Sequence, residues 1–435
     1  MKQPAIRMFI IGLAALVVGN VSAALTWTGR YSQKWNTTEK NWIDGQGNET
    51  LFTAGADVLL DDTAAETTVF IDATLTAGTV VVSNTTAKTY LITNTASAST
   101  LKQIAAFRKK GDGRLVFSAG KGATVRDFGA GLFVEKGEAC FDGPNQLSYY
   151  AEKPDGVLFA GTNATLRLAS RNMFNTSYTD PVTTPISIVH GSLIVEDKPT
   201  VNGQLKIGPV SFDNGTFDYS GLNGYSQYLG VMTLSGKLSF TGDVPYEILK
   251  SGMSQLGNAS YKKVHLWSGA GTEFEVADIT GDGAEDLTVD VQLVDQSLNS
   301  KADEKSPGCL VKTGAGTLAI TNANNTFTGD IEVREGVLQV GPNWQLNGSN
   351  MTIAPAIKYC EPQRTHSAQS LCALCGLCGR KPLYLLAASI KPNALSSTHP
   401  SASWTAWRVS SASYATCADR RPLRRRIPFP CRSGR

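Results

Sequence analysis

Residues 309–341 read CLVKTGAGTLAITNANNTFTGDIEVREGVLQVG. The first half has an earlier, degraded copy: Lys312-Thr-Gly314-Ala-Gly316-Thr-Leu318 reappears as Lys109-Lys-Gly111-Asp-Gly113-Arg-Leu115. Downstream, Val333-Arg-Glu-Gly336 answers to Val134-Glu-Lys-Gly137. Glycine to glycine, the unit spans 20 residues in the later copy (316 to 336) and 24 in the earlier one (113 to 137). A unit that keeps its punctuation while its interior changes length suits a β architecture built coil by coil, in which extra residues become loops.

A smaller pattern spreads from this unit over the body. Gly-x-Leu-x-apolar occurs at Gly113-Leu115-Phe117, Gly156-Leu158-Ala160, Gly191-Leu193-Val195, Gly203-Leu205-Ile207, Gly236-Leu238-Phe240, Gly316-Leu318-Ile320 and Gly336-Leu338-Val340. Each reads as a tight corner followed by a short strand, with the leucine and the next-but-one residue on one face. No helical periodicity intervenes, and Asn, Asp, Thr, Ser and Gly fill the gaps as corner residues. The expectation is an all-β fold: a parallel β-helix (β-solenoid) with an N-terminal cap and a disordered C-terminal tail. At about 20–29 residues per coil, residues 24–354 make roughly a dozen coils. The alternative on pattern alone is a β-sandwich with glycine turns.

The order L-x-K-x-G-x-G-T-L, N-x-aromatic-T-G, V-x-x-G-x-L-x-V resembles the autotransporter-associated β-strand repeat of bacterial passenger proteins. It is matched at Leu310, Lys312, Gly314, Gly316, Thr317, Leu318, Asn325, Phe327, Thr328, Gly329, Val333, Gly336, Leu338 and Val340. The stretch from Leu25-Thr-Trp27-Thr-Gly29 through Trp35 to Asn41-Trp42 is similar to the opening of such passengers. The resemblance implies a right-handed winding of the β-helix, passage through outer-membrane export machinery and display at the bacterial surface. The resemblance does not imply a particular ligand; host or extracellular glycans or surfaces are the expected partner class.

The two ends differ from the body. Lys2 and Arg7, the apolar run Met8 to Val18 and the small residues Val21-Ser22-Ala23 have the order of a secretory signal over residues 1–23. That run is too short to span a bilayer, and no transmembrane helix is expected in the mature chain. Residues 355–435 hold six of the eight cysteines and 13 Lys and Arg against 2 Asp and Glu, whereas residues 24–354 hold 25 against 35. This tail reads in three ways: a basic arm, a metal site around Cys372, Cys375 and Cys378, or translation in a shifted frame. The outer-membrane barrel usual in the family would read as strands of about ten alternating residues, and none is expected after residue 341.

Candidate chemistry is sparse. Asp278, Thr280, Asp282 and Asp286, with Gly283 sixth in the run, space oxygen ligands as Ca²⁺ loops do, although Val289 stands where a bidentate glutamate belongs. The alternative is a plain Asp/Gly turn. Trp27, Trp35 and Trp42, with Tyr31, form either an end cap or a platform for glycan stacking. No other cofactor is expected. No enzyme is read here: His190 and His265 lack a nucleophile elbow or a metalloprotease helix. Asp61, Asp62, Asp330 and Glu332 are the acids available to an alternative reading, a polysaccharide lyase or glycoside hydrolase. The basic run 108–110 overlaps the repeat and reads as a solvated corner, not a nucleic-acid patch. Cys140 and Cys309 read as small fillers in or near strands.

Overall fold

In the computed structural model, the described residues are 24–353 apart from 104, 119–124, 144–145, 148–155, 171–172, 175–176, 198–204, 223–230, 249–262, 299–303 and 342–348. The signal at 1–23 and the tail at 355–435 lie outside them. The described chain is a parallel β-helix with three walls. The longest wall is a sheet of fifteen strands, all joined in parallel except the two of the N-terminal hairpin, Trp42–Ile43 and Glu49–Thr50. A second wall begins as an eight-stranded sheet from Lys34–Trp35 to Thr216–Leu222 and is followed by a four-stranded sheet from Tyr246–Ile248 to Val337–Val340. The third wall consists of a three-stranded sheet starting at Leu75–Ala77 and a four-stranded sheet starting at Leu205–Ile207.

One turn of the column shows the order. Val80–Ser83 lies in the long sheet, Thr89–Asn94 in the second wall and Leu101–Gln103 in the third; Phe107–Lys109 then pairs in parallel on Val80–Ser83. Register is kept because alternate residues face a closed interior, and a one-residue slip would turn every apolar side chain outward. In the long sheet, Val58, Val80, Phe107, Leu132, Leu158, Ile186, Val210 and Leu238 stand directly above one another. In the second wall, Tyr90, Leu115, Ala139, Leu166, Leu193 and Phe217 do the same. Most of these side chains are fully buried in one continuous core. Each fully buried Val, Leu, Ile or Phe among them contributes about 1.5–3 kcal/mol.

The seven Gly-x-Leu-x-apolar units all become strands with the leucine buried. They do not mark one wall: Leu158 and Leu238 fall in the long sheet, Leu115, Leu193, Leu318 and Leu338 in the second wall, and Leu205 in the third. The motif therefore encodes corner plus strand, not position around the coil.

Coil length varies as the repeat suggested. Val58 to Val80 takes 22 residues and Ile331 to Met351 takes 20, but Leu238 to Phe274 takes 36 and Thr272 to Leu310 takes 38. The Asp-rich segment 278–286 is part of that last, 38-residue excursion. Cys140 is buried within a second-wall strand and Cys309 just before a long-sheet strand, neither of them in a disulfide.

Candidate functional site

The Lys-x-Gly-x-Gly signature places a lysine at a corner in a similar way twice. Lys312 is the penultimate residue of its long-sheet strand Leu310–Thr313, with its side chain turned inward and completely buried. Its Nζ donates to the carbonyls of Thr313 at 2.7 Å, Gly314 at 2.7 Å and Glu335 at 3.2 Å, the last belonging to the following coil. Lys109 repeats this, donating to Gly111 O in its own coil and to Lys136 O, 3.4 Å away in the next. Each lysine thus staples two consecutive coils at one corner. Burial pulls both ammonium groups down from 10.5 to about 8. The solvated-corner reading of the basic run needs correction: Lys110 is exposed, Arg108 half-buried and Lys109 wholly interior. It lies on the same strand face as Phe107, so it follows the inward row.

The glycines complete the staple. Gly137 and Gly336 take φ of +71° and +73°. A Cβ on Gly336 would sit 2.3 Å from Gly314 O and 2.4 Å from Gly316 O; on Gly137 it would sit 2.4 Å from Gly113 O and 2.5 Å from Gly111 O. Only glycine accommodates both the left-handed backbone and that approach.

At the N-terminal end, Trp27, Trp35 and Trp42 are completely buried with Phe52. Ring centroids of Trp27 and Trp42 are 5.1 Å apart and those of Trp35 and Trp42 4.9 Å, both edge to face. Trp27 Nε1 donates to Glu66 O at 2.8 Å. A sugar ring stacks on an exposed indole face, and these present none. The cluster is a cap sealing the first coil.

The loop with Ca²⁺-like spacing directs its acids onto its own backbone. Asp286 is buried; its Oδ1 accepts from Ile279 N and Thr280 N, both at 2.8 Å, and its Oδ2 from Thr317 N at 2.7 Å. Asp278 accepts from Gly281 N and Asp282 from Ala284 N, while the Thr280 hydroxyl is buried without a hydrogen-bond partner. These side chains are not gathered around a common centre: no group of three or more His, Cys, Asp or Glu placed to hold a metal ion occurs among the described residues. The arrangement holds a turn against the next coil.

The acids named for hydrolytic chemistry do not converge. Asp61 lies in the second parallel strand of the long sheet, whereas Asp330 and Glu332 belong to its penultimate coil at the other end. Glu332 pairs with Arg334 at 2.8 Å. His265 is buried in the third wall, and its Nδ1 accepts from Ser297 N at 2.9 Å. Burial, with Lys305 and Lys263 nearby, holds its pKa down at about 3, so it stays neutral. His190 is an exposed corner residue with φ of +54°.

Sequence reading did not single out the outer face of the long sheet. Leu59, Val81, Arg108, Phe133 and Phe159 form an outward row, one residue per coil, followed by Ser187, Ser211 and Ser239. The first five are half-buried. The Arg108 guanidinium sits 4.9 Å from the Phe133 ring centroid and pairs with Glu135 at 2.6 Å, while Phe133 and Phe159 are 6.1 Å apart. This strip of apolar, aromatic and hydroxyl groups can make both stacking and hydrogen-bonding contacts. Its signal was present in the alternation, since these residues lie between inward ones. The second wall instead carries a charge ladder: Glu138 pairs with Arg114 at 2.7 Å and with Arg167 at 3.0 Å, and Arg167 with Glu196.

Among known protein families, the Passenger-associated-transport-repeat matches residues 310–340. Those residues are the later of the two lysine-stapled corners. No curated protein and no solved structure matches the chain. The match supports an autotransporter passenger repeat over this one short segment. No described helix is long and apolar enough to cross a membrane, which says nothing about a β-barrel.

Proposed function

We propose that this chain is an exported passenger displayed at the bacterial cell surface, non-enzymatic, with an adhesive or structural role. The observation that carries the reading is the passenger-type repeat at 310–340, whose staple recurs at Lys109 in one continuous parallel column. A secretory signal at 1–23 and an outer-membrane export route are consistent with it. For adhesion, extracellular or host glycans are the partner class, and the outer row through Phe133 and Phe159 offers the contact chemistry.

The test is expression of the full chain in a Gram-negative host, with antibody labelling of intact cells and binding to glycan-coated surfaces. Surface labelling is expected, and binding should fall at least fivefold in a Phe133→Ser/Phe159→Ser variant that still labels. Labelling without any glycan binding assigns the structural role. Retention inside the cell overturns the proposal.

A further inference from the structure

In a solenoid each coil touches only its neighbours. In this one, parallel register partners are separated by 20 to 41 residues. The hydrogen bond that Gln296 Nε2 donates to Tyr178 O at 2.9 Å departs far from that rule, crossing 118 residues of sequence. It belongs to a set. Lys206 Nζ donates to Ser177 O and Asp180 O, both at 2.6 Å. Val182 N donates to Ser235 Oγ at 3.1 Å, and that hydroxyl donates to Ile207 O at 2.9 Å.

The seats of these bonds lie on successive third-wall strands. Lys206 is in Leu205–Ile207, Ser235 follows Val231–Leu234, Trp267 follows Lys263–Leu266 and Gln296 follows Gln292–Val294. These four strands pair in that order, one per coil. The Lys206 ammonium also lies 5.0 Å from the Trp267 ring centroid, reaching past one coil. Gln296 Oε1 accepts from Ser268 N at 2.8 Å and from its hydroxyl at 2.6 Å, which ties its amide to the coil before.

Residues 177–182 have no helix or strand of their own, and 177 and 179–181 are exposed. They nevertheless lie lengthwise over a wall whose outward row should be open to solvent. That row, Lys206, Thr233, His265 and Val294, is buried throughout. The contacts at both ends use backbone carbonyls and buried side chains, where a lost partner is costly.

We infer that residues 177–182 are a longitudinal clasp joining four successive coils into one opening unit, so that this block does not fray coil by coil. Lys206 and Gln296 are its two seats, three strands apart. Removing either seat loosens the other, because both hold the same strap.

Amide hydrogen exchange on the full-length protein tests this. In Lys206→Met, exchange should rise at least tenfold at Gln292–Val294 as well as at Leu205–Ile207. In Gln296→Leu, the rise should reach back to Leu205–Ile207. Ser235→Ala, which removes one hydroxyl, is the milder variant and should give a several-fold rise at both seats should either larger change prevent folding. Strands far from the clasp, such as Arg114–Ser118, should keep wild-type exchange in all three. The inference is overturned if each variant affects only its own strand and the two beside it.

Discussion

At the scale of single residues, the two buried lysines explain why this repeat keeps a cation in an apolar row. The ammonium at Lys312 satisfies three corner carbonyls that the tight turn leaves close together, and a methionine of similar length would leave them without a donor. Lys312→Met should therefore cost about 1–3 kcal/mol near pH 7. The alkaline behaviour is more diagnostic. With a folded value of about 8 against an ordinary 10.5, the unfolded chain binds a proton that the folded one has released throughout that window. Unfolding free energy then rises with pH from about 8 to 10.5, and this gain disappears as pH falls through 8. Each lysine contributes on the order of 2–3 kcal/mol to the rise. Urea denaturation at pH 8 and pH 10 should show a smaller gain in Lys312→Met than in wild type, and equal gains would refute the interior charge. The interior position was legible: Phe107 and Lys109, like Leu310 and Lys312, are two apart and share a face. Charge alone argued for solvent, yet three carbonyls at a corner replace water as acceptors.

The corner is the element on which the column turns, and its backbone is more uniform than its sequence. After successive long-sheet strands, the residue at the bend is Gly137, Asn163, His190 or Asn214, and near the C-terminal end Gly336, all with φ between +48° and +73°. A search keyed on glycine finds the first and last and passes over the middle three, because asparagine and histidine tolerate the left-handed region at a cost. Seven glycine-led strands were therefore readable, while the wall each belonged to was not, since loop length moves it. The clasp was equally invisible: nothing in residues 177–182 states that their partners lie up to 118 residues away. Opposite substitutions at equivalent corners should have opposite signs. His190→Gly, at an exposed side chain, should stabilise by about 0.5–1 kcal/mol by relieving the strained φ. Gly336→Ala should destabilise by about 3 kcal/mol or more, since strain and the clash with two carbonyl oxygens add. Thermal unfolding of the two variants reads both signs, and a harmless Gly336→Ala would discredit the staple geometry.

For the whole molecule, the consequence of stacking is that damage stays local wherever no clasp intervenes. The tryptophan cap and the Lys312 corner stand at opposite ends of one core, separated along the long sheet by most of its strands. Trp42 packs edge to face on both Trp27 and Trp35, so Trp42→Ala opens a cavity worth about 3–5 kcal/mol at the first coil. In a globular core such a loss would lower protection everywhere through global unfolding. In a column governed by neighbour contacts, the first coils can open while the last remain wound. Hydrogen exchange of Trp42→Ala should accelerate at Thr68–Ile71 and Val80–Ser83 and remain at the wild-type rate at Thr317–Ile320, with Gly336→Ala giving the reverse profile. A uniform loss along the full length in either variant would mean that the walls unfold as a single cooperative body, and the staples and the clasp would then have no separate coils to join.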